Sequence, residues 1–119
     1  MTSYFQVRKY IHLWVWPDTQ MNASGETWDG ASYSLKMIKS NSLTFQVDDP
    51  LHRTTFVQLA LNTTKVNVTF AGSSLLKSSS WSSLVELKDL PSQWFYDFSQ
   101  KVLWLRLDPK LSSVEIIFS

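Results

Sequence analysis

The chain has 119 residues, with 11 Lys plus Arg against 10 Asp plus Glu and no cysteine. That length suits one domain spanning 1–119, which buries roughly two thirds of its unfolded surface and so forms a core without covalent staples. The basic residues are scattered, with no run longer than Arg8-Lys9, which argues against a nucleic-acid face and against a polybasic membrane surface. The missing cysteine excludes a disulfide framework, a thiolate zinc site and a cysteine nucleophile.

A hydrophobic fraction of 44% and a charged fraction of 18% describe an ordinary globular chain. The longest apolar stretch, Tyr10 to Trp16, falls far short of the ~20 residues that cross a bilayer. No small-residue cleavage site follows Arg8-Lys9, so a secreted protein would be present here as its mature form or as a piece of something longer.

In chain order, the apolar residues follow period two almost throughout. Phe5 and Val7, then Ile11, Leu13 and Val15, alternate with Tyr10, His12, Trp14 and Trp16. This predicts one long strand, bulged near Arg8-Lys9 and ended by Pro17-Asp18. Both of its later faces are apolar, so it is expected to be covered on both sides or to lie at a domain boundary. Thr19 to Ser32 is polar, holds Gly25 and Gly30, and reads as a long loop.

Tyr33-Leu35-Met37 and Leu43-Phe45-Val47 alternate with polar neighbours across Lys39-Ser40-Asn41-Ser42, which predicts a hairpin. Asp48-Asp49-Pro50 breaks the chain. Thr55 to Leu61 is the next strand. Lys65 to Phe70 follows, with Val66, Val68 and Phe70 on one face before a turn at Ala71-Gly72.

Ser73 to Ser83 is serine-dominated and reads as a loop carrying Trp81. A short strand is expected at Leu84 to Leu87. A second hairpin joins Trp94-Phe95-Tyr96 to Val102–Leu107, and Val114–Phe118 closes the chain. About eight or nine short strands without a helix predict an all-β, antiparallel two-sheet β-sandwich.

Enzyme constellations are thin. There is no Gly-rich phosphate loop, nucleophile elbow or spaced metal set, so no catalytic residue, metal or cofactor is expected. His12 sits in an apolar strand, as core or interface histidines do. His52 follows Asp48-Asp49-Pro50-Leu51, where a solvated turn is the plainer reading than a metal site. Glu26 and Asp29 flank Trp28, and carboxylates beside an aromatic are how sugar-cleaving sites look; Asp18, Glu26 and Asp29 would also supply oxygens to a calcium ion.

The stronger signal is six tryptophans. An indole stacks on the apolar face of a pyranose and also anchors protein interfaces. Trp14, Trp16, Trp94 and Trp104 lie in strands, where core or interdomain packing is expected. Trp28 and Trp81 lie in polar loops, so Trp28, Trp81, Glu26 and Asp29 are the candidate ligand-binding residues. Three N-glycosylation sequons start at Asn22, Asn62 and Asn67. They point to a secreted or lumenal glycoprotein.

Trp94-Phe95-Tyr96-Asp97, then Lys101–Leu107, then Val114–Phe118, resembles the closing hairpin and last strand of C-terminal β-sandwich domains in α-glucosidase-like enzymes of glycoside hydrolase family 31. Ile11–Pro17, followed by Gly25-Glu26-Thr27 and Tyr33, is similar to an apolar-strand, proline, Asp-Gly-Glu-Thr-Tyr region of the same enzymes. Where that region carries an acidic pair, this chain has Asn22-Ala23-Ser24. The family's catalytic aspartates lie in a barrel, and no barrel fits here. The resemblance therefore implies a non-catalytic, carbohydrate-associated accessory module that packs against a catalytic domain or meets carbohydrate. It would also explain the doubly apolar first strand. A secreted immunoglobulin-like protein-interaction ectodomain is the alternative.

Overall fold

The computed structural model describes residues 10–27, 30–78, 80, 84, 92–109 and 113–119. The strands are β1 (Tyr10–Val15), β2 (Ala23–Glu26), β3 (Ser32–Lys39), β4 (Ser42–Asp48), β5 (Thr54–Ala60), β6 (Val66–Phe70), β7 (Ser73–Ser74), β8 (Leu76–Lys77), β9 (Gln93–Asp97), β10 (Val102–Leu107) and β11 (Ser113–Phe118). They form a five-stranded sheet ordered β1-β5-β10-β9-β8 and a six-stranded sheet ordered β2-β3-β4-β11-β6-β7. The all-β sandwich expected from the period-two pattern is the fold.

The sheets meet on alternate side chains. Ile11, Leu13, Val15, Val57, Leu59, Leu103, Leu105, Trp94 and Tyr96 face Leu35, Leu43, Phe45, Val68, Val114 and Ile116 in one buried cluster. Most strands therefore need only one apolar face. β5 is the exception. It lies between β1 and β10, and every residue from Thr55 to Leu59 is buried.

The turns follow from local chemistry. Ala71 and Gly72 both have positive φ, 51° and 84°, and join β6 to β7 in a two-residue hairpin, the left-handed turn whose twist matches the strands. Ser40-Asn41 closes the β3–β4 hairpin beside a register shift between Met37 and Lys39. The β9–β10 turn is organised by Asp97. Its Oδ1 accepts from the Ser99 hydroxyl (2.7 Å), the Ser99 N–H (3.0 Å) and the Gln100 N–H (3.2 Å). The Ser99 hydroxyl is the main reason the Asp97 carboxyl stays below its ordinary pKa.

Three elements depart from the sequence reading. First, the antiparallel expectation holds for most pairs, but β1 and β5 run parallel, as do β8 and β9. Parallel neighbours need a long crossover, and here the crossover from β1 to β5 is β2, β3 and β4 of the opposite sheet. Second, the expected 19–32 loop contains β2, an edge strand without apolar alternation. Pairing with β3 creates it: Ala23 faces Leu35 and Gly25 faces Tyr33. The Tyr33 ring lies over Gly25 so closely that a Cβ there would sit 2.8 Å from it, so this strand position requires glycine.

Third, the serine-rich stretch holds β7 and β8. The Trp94 indole N–H donates to the Leu75 carbonyl (3.3 Å), and the Ser78 N–H donates to the Trp94 carbonyl (2.7 Å), which fixes that stretch to the sheet. The expected strand at 84–87 is described only at Leu84, which is buried and lies in no strand; 85–87 lie outside the described residues, as do 1–9 of the expected first strand.

Candidate functional site

β1 places Ile11, Leu13 and Val15 in the core and turns Tyr10, His12, Trp14 and, just past its end, Trp16 outward. Trp14 is 54% exposed and Trp16 67%. Their rings are nearly parallel, 14° apart, with centroids 5.4 Å apart. His12 stacks on Trp14 at 6.5 Å and 20°. It also meets Phe56 of β5 at 6.4 Å and Trp104 of β10 at 6.5 Å. Burial among these neighbours lowers the His12 pKa from its ordinary value, so the imidazole is neutral at pH 7.

The register explains the cluster. Across the outer face of the five-stranded sheet, His12, Phe56 and Arg106 lie side by side, and the next row is Trp14, Gln58, Trp104 and Phe95. Arg106 is 2% exposed, lies 5.2 Å from the Phe56 ring and donates from Nη1 to the Leu84 carbonyl at 3.0 Å. The β5 end of this face is thus covered by the chain itself, while the β1 end is open. Of the four strand tryptophans, Trp94 is core, Trp104 is half-buried, and Trp14 and Trp16 are neither core nor covered. Period two separates His12, Trp14 and Trp16 from Ile11, Leu13 and Val15, but with both sets apolar it does not say which set faces out.

The six-stranded sheet has a different outer face. A groove of about 390 Å³ is lined by Ser32, Tyr33, Ser34, Gln46, Val47, Asp48 and Ser113, and a neighbouring one of about 550 Å³ by Asp18, Asn22, Ala23, Ser24, Ser34, Leu35, Lys36 and Met37. Polar and charged groups are the larger part of both linings, with Tyr33 and Val47 in the first and Ala23, Leu35 and Met37 in the second adding apolar surface.

Of the expected ligand-binding residues, Glu26 is exposed at the end of β2, opposite Ser32, which pairs in turn with Asp48. Trp28, Asp29 and Trp81 lie outside the described residues. Asn22 and Asn62 are exposed and Asn67 is half-buried. Asp18 closes a turn, its Oδ1 accepting from the Gln20 and Asn22 N–H groups at 2.8 and 3.0 Å. Among the described residues no group of three His, Cys, Asp or Glu side chains is placed to hold a metal ion, and no helix is long and apolar enough to cross a membrane.

His52 is exposed in a turn with φ of 51°. The neighbouring Asp49 is committed to Arg53: Nε to Oδ2 at 3.0 Å, Nη2 to Oδ1 at 3.1 Å, and the backbone N–H to Oδ2 at 2.8 Å. Burial alone would raise the Asp49 carboxyl, but these bonds and the Leu51 N–H hold it below its ordinary pKa. A carboxyl lowered in the folded state stabilises the fold above its unfolded pKa, and the contribution disappears as pH falls through the folded value. Asp49→Asn is expected to destabilise the domain by about 1–3 kcal/mol at neutral pH and to flatten the loss of stability on acidification. Urea midpoints from pH 7 down to pH 2 for both proteins check this.

No protein-family model matches the chain, and no curated protein sequence does. The fold does have solved counterparts. One is the GH31 dextranase of Flavobacterium johnsoniae, at TM-score 0.60 and 12% identity, covering 82% of this chain and 15% of that one. Another is the cycloalternan-forming enzyme of Listeria monocytogenes, at TM-score 0.58 and 14% identity, covering 82% of this chain and 9% of that one. The chain thus matches a small part of much longer glycoside hydrolases. At these identities the likeness is one of fold.

Proposed function

We propose that this chain is a non-catalytic accessory sandwich of a glycoside hydrolase-like protein, docked on its catalytic partner through the His12-Trp14-Trp16 row. The observation that carries the reading is the shared fold, which occupies only 15% and 9% of the two enzymes. The open aromatic row supports it. Large apolar patches mark contact surfaces, and tryptophan is enriched among residues that carry binding energy.

Ring geometry favours a protein surface over a sugar at this row. Two rings 14° from parallel with centroids 5.4 Å apart overlap as an offset stack. Trp14 is flanked by both Trp16 and His12, so only Trp16 keeps a broad ring face for a pyranose. In this proposal any direct carbohydrate contact falls to Trp28, Asp29, Trp81 and Glu26. An immunoglobulin-like interaction domain would use the same aromatic row; the fold shared with glycoside hydrolases favours the accessory reading.

The test uses the 119-residue chain. Sedimentation velocity is expected to show self-association that rises with concentration. The double substitution Trp14→Ser, Trp16→Ser should remove it while changing stability by no more than about 0.5 kcal/mol per site, as for other surface positions. A chain that stays monomeric, with tryptophan fluorescence that saturates on adding an α- or β-linked oligosaccharide and loses that response on Trp14→Ala, would replace docking by a sugar platform.

A further inference from the structure

We propose that this domain is N-glycosylated at Asn22 and Asn62, and that Asn67 stays bare. The assignment is independent of what covers the row, because the sequons and their placement carry it. In the transfer, Asn Nδ2 bonds to C1 of an oligosaccharide carried on a polyprenyl pyrophosphate. The C1–O bond breaks, the amide loses one proton, and the polyprenyl pyrophosphate leaves. The sugar is added to the extended chain, so the fold decides which additions it can house.

Asn22 is exposed immediately before β2, the edge strand of the six-stranded sheet, and no further strand lies beyond it among the described residues. Its Oδ1 accepts from the Met37 N–H at 3.4 Å, which orients the amide and leaves Nδ2 out of that bond. It stands at the groove of about 550 Å³ that also holds Asp18, Ser24, Ser34 and Lys36. A first hexosamine, with hydroxyl and acetamido groups, meets donors and acceptors there beside the apolar Ala23 and Met37.

Asn62 is exposed between Leu61 and Thr63, both buried. The Tyr96 hydroxyl accepts from the Thr63 N–H and donates to the Leu61 carbonyl, so the backbone on both sides is held while Asn62 projects outward. Asn67 differs. It is half-buried in β6 between β11 and β7, and its Nδ2 donates to the Ser74 hydroxyl at 3.0 Å. A glycan rooted there would displace that bond and lie on both neighbouring strands. Asn22 adjoins and Asn67 lies in the six-stranded sheet, while Asn62 follows β5 of the five-stranded sheet by two residues.

The test is to express the full chain behind a secretory leader in a eukaryotic host. Removal of glycans by peptide-N-glycosidase in heavy-oxygen water marks each occupied asparagine as labelled aspartate for peptide mass spectrometry. Label at Asn22 and Asn62, and none at Asn67, is expected. Asn22→Gln and Asn62→Gln should each abolish one step of the gel shift. Ser24→Ala should repeat the first loss without touching the Asn22 amide. The threonine of the second sequon is left alone because the Thr64 hydroxyl bonds the Ser119 carbonyl. A secreted chain unlabelled at Asn22 or at Asn62, or labelled chiefly at Asn67, overturns the proposal.

Discussion

Phe45→Ala is expected to destabilise the domain by about 3–5 kcal/mol, a large share of the 5–15 kcal/mol that holds a typical domain. Phe45 is fully buried in β4, with Leu35 of β3 on one side and Val114 of β11 on the other. Its ring stacks on Tyr33 at 6.2 Å, and Tyr33 in turn lies over Gly25. Truncation removes the ring's transfer free energy and leaves a cavity that three strands of one sheet cannot close together. The loss should appear as a lower urea midpoint with an unchanged slope. Phe45→Leu, which keeps most of the volume, should recover more than half of it. A cost below 1 kcal/mol for the alanine variant would mean that Phe45 does not hold the two sheets together.

Tyr96→Phe removes one oxygen and is expected to cost about 2–4 kcal/mol, because two buried backbone groups lose a partner, at roughly 1–3 kcal/mol each. The Tyr96 hydroxyl reaches from the five-stranded sheet to the segment leading into β6, donating to the Leu61 carbonyl and accepting from the Thr63 N–H at 3.2 Å. That segment also meets the chain end. The Thr63 hydroxyl donates to the Ser119 carbonyl, and the Thr64 N–H bonds the same carbonyl at 3.0 Å. Loss of the hydroxyl should therefore raise amide exchange at Leu61–Lys65 and Ser119 above that of the β3–β4 hairpin. Hydrogen exchange of both proteins separates this from a uniform loss of stability; equal acceleration everywhere would mean that the hydroxyl does not fasten that segment.

These two variants act on the frame and leave the outer faces untouched, which is where function is proposed. One outer face is aromatic and open at its β1 end, with Arg106 buried farther along it. The other is polar, grooved and bordered by Asn22.

Much of this frame was legible in the residues. The β3–β4 and β9–β10 hairpins, β5, β6 and β11 lie within a residue or two of where alternation put them, because period two and turn residues such as Asn41, Gly72 and Asp97 act over a few neighbouring positions. The resemblance drawn from Trp94–Asp97 and the last strands agrees with the fold that the chain shares with a GH31 dextranase. β2 was not legible, since Ala23-Ser24-Gly25-Glu26 becomes a strand only when Tyr33 and Leu35 stand beside it. Nor was the parallel match of Tyr10–Val15 to Thr54–Leu59, a contact between segments far apart in the chain. The first strand shows the limit most clearly. Ile11-His12-Leu13-Trp14-Val15-Trp16 is apolar on both faces, so alternation could not say which face the second sheet would cover. Packing resolves it: Ile11, Leu13 and Val15 fill the space left between the sheets beside Phe45, Trp94 and Tyr96, and the His12, Trp14 and Trp16 rings, stacked on one another, are left facing out.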